Sequence, residues 1–281
     1  MSLSCCSAGG RRLLLPRLIL GQRHHVRRSL LHLRAASSGG AAATASSSTA
    51  SLSPAQQRQV SLYVDALLDW NQRMNLTAVT DEAEVMTRHV ADSLAVLPPL
   101  ERAYTSRGGD VASGVSLIDV GSGAGLPGLI LAVARPSWKF TLLESMRKRC
   151  TFLEHAVEVM ELSNVDVVCD RAENVGQSPE FREAFDVAAA RAVAELKILA
   201  EYCLPLVRVG GLFIAAKGHD PHEEIRSAKA AVHTLGASML DLCNVESMGP
   251  HGQRTAVVYL KEHTTPKKYP RHPGTPSKTP L

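Results

Sequence analysis

No acidic residue precedes Asp65, although aspartate and glutamate fill 27 of the 281 positions. Residues 1–50 instead carry seven arginines, set among serine, alanine, glycine and leucine. An arginine- and serine-rich leader without acidic residues is typical of organelle transit peptides. We therefore predict a disordered transit peptide at residues 1–50, with a merely disordered tail as the alternative.

Long apolar runs and paired cysteines are also missing. The apolar pieces LLLPRLIL and LLHL of the leader are interrupted or flanked by arginines and are too short to span a bilayer, so we predict no membrane association. The cysteines that follow the leader form no CxxC pair, which indicates reduced structural thiols and no zinc site. His219 and His222 in the run HDPHEE could bind a metal, but a helix start with solvated charges explains them equally well. We predict no metal.

The basic character of the chain is confined to its two ends. Without residues 1–50 it has 24 basic and 27 acidic residues, a net charge of −3. A nucleic-acid partner would therefore have to be bound by a local basic patch rather than by the overall field. Residues 263–281 form a proline-rich tail that carries four such basic side chains, namely Lys267, Lys268, Arg271 and Lys278.

Hydrophobic periodicity predicts an α/β protein. One helix begins at Ser53-Pro54, and a second covers residues 82–97 and ends at Pro98-Pro99. Strands are predicted at 116–120, 139–143, 165–168, 186–190, 211–216, 239–246 and 254–260, and helices at 127–134, 146–161, 194–208 and 221–235. This alternation predicts a doubly wound sheet at 106–262, preceded by N-terminal helices at 51–105 and followed by the tail at 263–281.

The stretch LIDVGSGAGLPGL predicts a ligand site at the carboxyl end of the first strand. Glycines between a strand and a helix direct backbone N–H groups and a positive dipole end into the crevice above a parallel sheet. Gly123, Gly125 and Gly128 match the GxGxxG spacing of a dinucleotide fold, whereas Asp119, Gly121, Gly123 and Gly125 match the DxGxGxG of a methyltransferase fold. Spacing alone does not decide between them.

The position of Gly121 favours S-adenosylmethionine over a nicotinamide dinucleotide. The glycine that directly follows the strand is Gly121, and from there the dinucleotide spacing fails at Leu126. An acidic residue just before it, Asp119, can face the cationic amino-acid end of S-adenosylmethionine. Glu144 ends the next strand, 23 residues after Gly121, where a carboxylate can accept both ribose hydroxyls. On pattern alone, Glu173 in the following DRAEN segment is a solvated loop residue.

Several further motifs together resemble the RsmG (GidB) family, which methylates N7 of a guanosine in bacterial 16S ribosomal RNA. The resemblance covers about residues 55–281. It rests on the segments WNQRMNLTAVTD (70–81), RHVADSL (88–94), IDVGSGAGLPGL (118–129), DRAEN (170–174), ARAVAEL (190–196), AAKG (215–218) and TPKKYPRHPGTPSKTPL (265–281).

The resemblance implies a class I S-adenosylmethionine-dependent methyltransferase fold, an α/β fold with a doubly wound, mostly parallel seven-stranded sheet, here with an N-terminal helical extension. It implies that Gly121, Leu126, Ala172 with Glu173, and Arg191 bind the cofactor, which replaces the solvated reading of Glu173. Glu144 stands where many members have Asp, a change that keeps the ribose acceptor.

The resemblance also implies the substrate and its partners. Guanine N7 has a free lone pair, so its attack needs alignment rather than a general base, and we assign no certain catalytic residue. The NPPY tetrad used on exocyclic amines and the Pro-Cys nucleophile used on pyrimidines are absent. Asn75, Arg88, His89 and Lys217 are candidates for positioning the substrate.

Each of these candidates has a structural alternative, most simply Asn75 as a helix cap and Arg88 paired with Asp92 four residues on. We expect the basic tail to contact RNA phosphates, so that its removal weakens RNA binding and leaves cofactor affinity unchanged.

We expect a monomer that acts on small-subunit ribosomal RNA or a ribosomal particle, and not on DNA. A leader added to a family with bacterial-type ribosomes as substrate implies an organelle, with the chloroplast favoured over the mitochondrion. A small-molecule S-adenosylmethionine-dependent methyltransferase and a non-catalytic ribosome assembly factor remain alternatives, as does a nicotinamide oxidoreductase.

Overall fold

A computed structural model describes residues 52–191, 193–249 and 252–281. The predicted transit peptide at 1–50 lies outside these residues. The helices are α1 (Pro54–Met74), α2 (Glu82–Val85, continued by a π-helical Met86–Ala91 and by Asp92–Leu94), α3 (Leu97–Ser106), α4 (Gly128–Ala134), α5 (Arg147–Val159), α6 (Ala172–Val175), α7 (Leu196–Cys203), α8 (His222–Thr234) and α9 (Thr275–Lys278). Among these helices, none is long and apolar enough to cross a membrane.

The first helix has strong signals at both ends. The Ser53 side chain accepts a hydrogen bond from the Gln56 backbone, and the Gln56 side chain accepts one from the Ser53 backbone, which forms a capping box. Pro54 occupies the first turn, where its missing N–H has no cost. The helix ends at Asn75, which adopts the left-handed conformation at φ 50° and caps the helix.

The prediction that Pro98-Pro99 ends a helix is wrong, because the two prolines lie in the first turn of α3. A first turn tolerates proline for the same reason as in α1. The DRAEN segment also differs from prediction, since Ala172–Val175 forms the short helix α6 rather than a loop.

Seven strands form one sheet in the order β3-β2-β1-β4-β5-β7-β6. The strands are β1 (Ser116–Val120), β2 (Lys139–Glu144), β3 (Val165–Cys169), β4 (Phe185–Arg191), β5 (Val207–Lys217), β6 (Ala237–Gly249) and β7 (Gly252–Lys261). Strands β1 to β5 pair in parallel, and β7 pairs antiparallel with both β5 and β6. The predicted doubly wound, mostly parallel seven-stranded sheet of a class I methyltransferase fold is therefore confirmed.

Helices cover both faces of the sheet, because successive strand residues point to opposite sides. Leu117 belongs to a hydrophobic cluster with α1 to α5, and the next residue, Ile118, belongs to a second cluster with α7 and α8. The N-terminal helices thus share one core with the sheet. Helix α1 packs against α4 and α5, which places it beside the carboxyl end of β1.

Candidate functional site

The loop after β1 turns sharply and packs closely on the sheet. Gly121, Gly123 and Gly125 all have positive φ angles, of 74°, 58° and 86°, which glycine adopts without steric cost. At Gly125 a β-carbon would also lie 2.3 Å from the Leu129 side chain, whereas at Gly123 it would meet only open space beyond the Gly121 carbonyl at 3.8 Å. The loop therefore packs against the core at Gly125 and faces free space at Gly123.

Two adjoining cavities open along the carboxyl ends of β1, β2 and β4, and together we call them the crevice. The first, of 320 Å³, we call the loop half. It is lined by Leu76, Thr77, His89, Gly121, Ser122, Gly123, Ala124, Leu126, Glu144, Ser145, Arg149, Arg191 and Val193. The second, of 260 Å³, we call the α6 half. It shares Gly121, Ser145 and Val193 with the first and extends to Asp170, Glu173, Tyr202 and Ser277. A larger cavity of 440 Å³ lies between α1, α3 and β6, away from the ends of these strands.

Asp119 lies beneath the loop rather than on the crevice wall. Its side chain is fully buried, and its Oδ2 accepts a hydrogen bond of 3.0 Å from the Gly128 N–H at the start of α4. The other carboxylate oxygen, Oδ1, is buried and has no hydrogen-bond partner among the residues that the structure describes. Burial raises the pKa of Asp119 to about 6, against the opposing effect of the Gly128 hydrogen bond. An unpaired buried oxygen at this point favours a ligand that brings a donor or a positive charge.

Glu144 faces the loop from the end of β2. It is buried, and its Oε2 accepts the Gly123 N–H at 3.0 Å while its Oε1 accepts the Met146 N–H at 2.8 Å. A carboxylate offers about four acceptor sites, so Oε2 can still take one more donor, while the second site of Oε1 is held only by a long 3.5 Å hydrogen bond from the Ser145 hydroxyl, which a ligand hydroxyl can replace. Two backbone bonds hold the side chain in place, with the guanidinium of Arg149 3.7 Å away. Glu144 is thus positioned to accept two neighbouring hydroxyl groups.

Ala172 and Glu173 line the α6 half of the crevice. The solvated role that the local pattern predicts for Glu173 is wrong, because the residue is only 4% exposed. The carboxylate is buried because it has a partner from the end of the chain, the Gly274 N–H, at 2.8 Å from its Oε1. The sequence pattern around residue 173 does not contain this distant contact.

Arg191, at the end of β4, is one of two arginines that line the loop half, the other being Arg149. It is largely buried, and burial lowers its pKa, opposed by Tyr63, Asp92 and Asp119 nearby. A guanidinium stays charged despite such shifts. Asp92 is engaged elsewhere, since its Oδ2 lies 2.6 Å from Arg254 and its Oδ1 accepts a hydrogen bond from the Ser247 hydroxyl. Arg191 is thus a cation on the crevice wall that can attract a carboxylate.

His89 lines the loop half, as the resemblance suggests, but in the neutral form. Its Nδ1 lies 3.0 Å from the Arg88 carbonyl oxygen, which can only accept, so Nδ1 carries the proton. Its Nε2, 2.7 Å from the Thr77 hydroxyl, then accepts. Burial lowers the pKa of His89 to about 4, and the positive charge of Arg191 acts in the same direction. His89 therefore contributes a neutral, oriented ring to the crevice.

The other three candidates for substrate positioning do not line either cavity. Asn75 is exposed beside Leu76 and caps α1. The predicted pair between Arg88 and Asp92 is wrong, because the π-helical segment of α2 alters the helical spacing and Arg88 lies 3.5 Å from Glu84 instead.

Lys217 is the third of these, and its contacts lie inside the protein. Its ammonium group is 2.6 Å from Glu224 and donates to the Ala194 carbonyl at 3.0 Å, with the side chain 10% exposed. Glu224 also accepts the Leu196 N–H at 2.7 Å. Lys217 and Glu224 together hold the segment between β4 and α7, which carries Val193 over the crevice.

The local patterns missed four residues that shape the crevice. Tyr63 is fully buried in α1 and donates a 2.9 Å hydrogen bond to the Ala124 carbonyl of the loop. Its place in the hydrophobic repeat of α1 predicts a core residue only. Val193, Tyr202 and Ser277 line the crevice, and the sequence places them on separate segments. Only the tertiary structure brings them together.

The described ranges of the chain show neither disulfides nor a metal cluster. Cys150, Cys169, Cys203 and Cys243 are free. In the same ranges no group of three or more His, Cys, Asp or Glu side chains converges on one point.

S-adenosylmethionine fits the residues of the crevice. Asp119 has an unpaired buried oxygen near the loop, Arg191 can attract the amino-acid carboxylate, and Glu144 can accept ribose hydroxyls. The α6 half, beyond Glu144, would hold the adenine, and the loop half would hold the methionine part. The predicted cofactor residues Gly121, Gly123, Leu126, Glu144, Ala172, Glu173 and Arg191 all line one cavity or the other, whereas Asp119 and Gly125 support the loop from below.

Comparison with a family model and with related sequences agrees with these observations. A model of the family described as rRNA small subunit methyltransferase G matches residues 56–251. The chain is 42% identical over 231 residues to ribosomal RNA small subunit methyltransferase G of Bacillus cytotoxicus, covering 82% of this chain and 93% of that one. It is also 42% identical over 230 residues to the protein of that name from Staphylococcus saprophyticus, covering 82% and 92%. Aeropyrum pernix fibrillarin, solved with bound S-adenosyl-L-methionine, gives a TM-score of 0.43 at 13% identity over 57% of this chain and 74% of that one.

Proposed function

The chain belongs to the rRNA small subunit methyltransferase G (GidB) family, and from this premise we propose that it methylates N7 of a guanosine in small-subunit (16S-type) ribosomal RNA. The methyl donor is S-adenosylmethionine. The proposal rests mainly on family membership over most of the chain. The crevice supports it, because its charged groups suit this cofactor. The substrate is the RNA itself or a ribosomal particle.

The crevice performs the reaction by positioning. When bound, S-adenosylmethionine supplies a methyl group on a positively charged sulfur, which a ring nitrogen can attack. Glu144 and Glu173 would hold the nucleoside part and Arg191 would orient the amino-acid part, while Asp119 would act through the loop that it supports from below. Guanine N7 has no proton to remove, so the reaction needs no general base. This agrees with His89, the histidine of the crevice, whose two ring nitrogens are both already hydrogen-bonded within the protein. Catalysis then comes from holding the acceptor in line, as for other reactions that depend on alignment.

The N-terminal helices form the side of the crevice on which we place the guanine. Leu76, Thr77 and His89 line the loop half from this side, and Asn75 and Arg88 lie next to them. Arg88 is partly exposed and can reach a phosphate, since its pair with Glu84 is long and open to solvent. Lys217 has no part in RNA contact in this proposal, because its charge is paired inside the protein.

Transfer of a tritiated methyl group tests this function. The full chain is incubated with labelled S-adenosylmethionine and, in parallel, unmodified small-subunit RNA, small-subunit particles, large-subunit RNA and duplex DNA. We expect label in a small-subunit substrate only, and its loss in Arg191→Met. Cofactor binding without transfer to any of these would favour a small-molecule methyltransferase. Tight binding to small-subunit RNA without cofactor binding would favour an assembly factor.

We further propose that the protein acts in an organelle, with the chloroplast favoured over the mitochondrion. The support is the leader at 1–50, which is rich in arginine and serine and free of acidic residues, together with a family match that starts only at residue 56. Residues 1–50 fused to a fluorescent protein should direct it to chloroplasts in leaf protoplasts. A fusion that stays in the cytosol contradicts the organelle, and one found in mitochondria selects the alternative.

A further inference from the structure

The C-terminal segment 263–281 packs against the body of the protein instead of projecting from it. The guanidinium of Arg182, between α6 and β4, donates to the carbonyl oxygens of Thr265 at 2.8 Å and of Tyr269 at 2.7 Å. Tyr269 itself is buried, and so is Pro276 in α9. These contacts fix the path of the segment across α6 and α7.

A buried ion pair anchors the middle of the same segment. Arg271 donates from its backbone to Glu201 Oε1 at 2.8 Å and from its guanidinium to Oε2 at 2.6 Å. The Glu201 side chain is only 1% exposed. A carboxylate at such a depth is costly unless it is paired, so α7 depends on Arg271 as a partner. Of the basic residues in the segment, Arg271 is therefore engaged in folding, whereas Lys267, Lys268 and Lys278 are exposed.

Beyond this anchor the segment reaches the crevice. The Gly274 N–H donates to Glu173 Oε1 at 2.8 Å, and Ser277 lines the α6 half next to the Tyr202 hydroxyl. Glu173 is thus shared between the C-terminal segment and the cavity. The charge of Glu173 also contributes to raising the pKa of Tyr202, after burial, which shows how close the two side chains are.

From this arrangement we infer that residues 273–281 form a wall of the cofactor site on its nucleoside side, with Glu173 as the residue that couples docking of this segment to nucleoside binding. The inference rests on the proposed function in taking S-adenosylmethionine as the ligand. Glu173 is buried and needs a donor, so the Gly274 N–H holds the carboxylate in the position that the nucleoside meets. Coupling between two sites is reciprocal, so the nucleoside also stabilises the docked segment.

This inference revises the expectation that loss of the tail leaves cofactor affinity unchanged. The exposed lysines can still contact phosphates, but the glycine and serine beyond Arg271 serve the crevice. Removing the lysine charges and removing the wall should therefore have separable effects. The first weakens RNA binding, and the second weakens cofactor binding.

The test compares two ligands by calorimetry on the full chain and on a variant that ends at His272, which keeps the Arg271 anchor. S-adenosylmethionine fills both halves of the crevice, whereas 5′-methylthioadenosine lacks the amino-acid part. We expect the variant to bind both ligands at least about tenfold more weakly and by similar factors, the size expected for loss of one charge-assisted hydrogen bond. Arg191→Met should instead weaken the binding of S-adenosylmethionine and leave that of 5′-methylthioadenosine unchanged. Wild-type affinity for 5′-methylthioadenosine in the shortened variant would overturn the inference.

Two glycines offer a matched pair of point variants that avoid truncation. Gly274 and Gly108 both have φ 82°, and a β-carbon at either would meet no heavy atom of the described residues within 4 Å. Alanine introduces the same backbone strain at both positions, but Gly108 lies in the loop after α3, and it lines neither half of the crevice. Gly274→Ala should weaken the binding of both ligands about threefold or more, because it loses part of the contact that truncation removes entirely. Gly108→Ala should leave both affinities unchanged. Equal effects of the two variants would overturn the inference.

Two further controls separate this inference from the proposed function. A double variant, Lys267→Ala with Lys268→Ala, should keep both ligand affinities, since it removes charge and leaves the wall. A wild-type chain that binds neither ligand contradicts the proposed function itself. A wild-type chain that binds both, beside a shortened variant that also binds both, contradicts only the wall.

Discussion

Lys217 offers the sharpest contrast between a contact with RNA and a role inside the protein. Its ammonium group is 2.6 Å from Glu224 and 3.0 Å from the Ala194 carbonyl, and the two side chains of the pair are only 10% and 27% exposed. Lys217→Met keeps the length and apolar stem of the side chain and removes both contacts. We therefore expect this substitution to act on folding and on the segment over the crevice.

The expected cost follows from the two contacts. Hydrogen bonds to charged groups contribute about 1.5–3 kcal/mol each, so two contacts sum to about 3–6 kcal/mol. Because Glu224 is partly exposed, water screens the ion pair, and we discount the sum for Lys217 to about 2 kcal/mol. For a protein of this size that corresponds to a fall in Tm of about 4–8 °C. Thermal unfolding followed by circular dichroism measures it directly.

A double-mutant cycle with Glu224→Gln makes the test specific. If the pair acts as a unit, the double variant loses about as much stability as Lys217→Met alone, with a coupling energy of about 1 kcal/mol or more. If Lys217 instead contacts RNA, Lys217→Met keeps its Tm and binds RNA more weakly, and Glu224→Gln does not impair RNA binding. An unchanged Tm for Lys217→Met would refute the structural role.

Three other substitutions or titrations follow from the site. Tyr63→Phe leaves the buried Ala124 carbonyl without its donor and should lower the free energy of unfolding by about 1–3 kcal/mol in urea, whereas an unchanged value would contradict the contact. Gly128→Ala places a methyl group 2.8 Å from the Asp119 carboxylate. It should lower the free energy of unfolding by about 1–3 kcal/mol and weaken S-adenosylmethionine binding. Normal affinity in calorimetry would argue against the role of Asp119. Because the pKa of His89 is lowered to about 4, we expect NMR titration to show a neutral ring from pH 8 to pH 5. The contribution of His89 to the free energy of unfolding should fall as the pH drops from about 6.5 to about 4. Protonation of the ring near pH 6.5 would be inconsistent with its burial.

The strands were the most predictable part of the fold, because each is a short apolar run bounded by turn residues. The run at residues 116–120 matches β1 at both ends, and β2 differs from the predicted 139–143 by one residue. The failures have local causes. Proline fits the first turn of a helix as well as its end, which explains α3, and nothing in RHVADSL indicates the π-helical turn that separates Arg88 from Asp92.

The candidate site was predictable where chemistry follows one strand end and its loop. Asp119, Gly121 and Glu144 fall in such segments, and the structure brings them together. Contacts between distant segments were not predictable in this way. No local pattern links Gly274 to Glu173, 101 residues apart, or shows that the Lys217 charge is paired. Burial and pairing of charges are properties of the tertiary structure.

The most direct test of the central claim maps the methylated nucleotide. Small-subunit RNA or particles lacking the modification are treated with the full chain and S-adenosylmethionine, then with borohydride and aniline, which together cleave RNA at 7-methylguanosine. The proposed function predicts a single new cut that is absent when Arg191→Met replaces the wild-type chain. No cut in RNA or particles, from a chain that binds the cofactor normally, would contradict it.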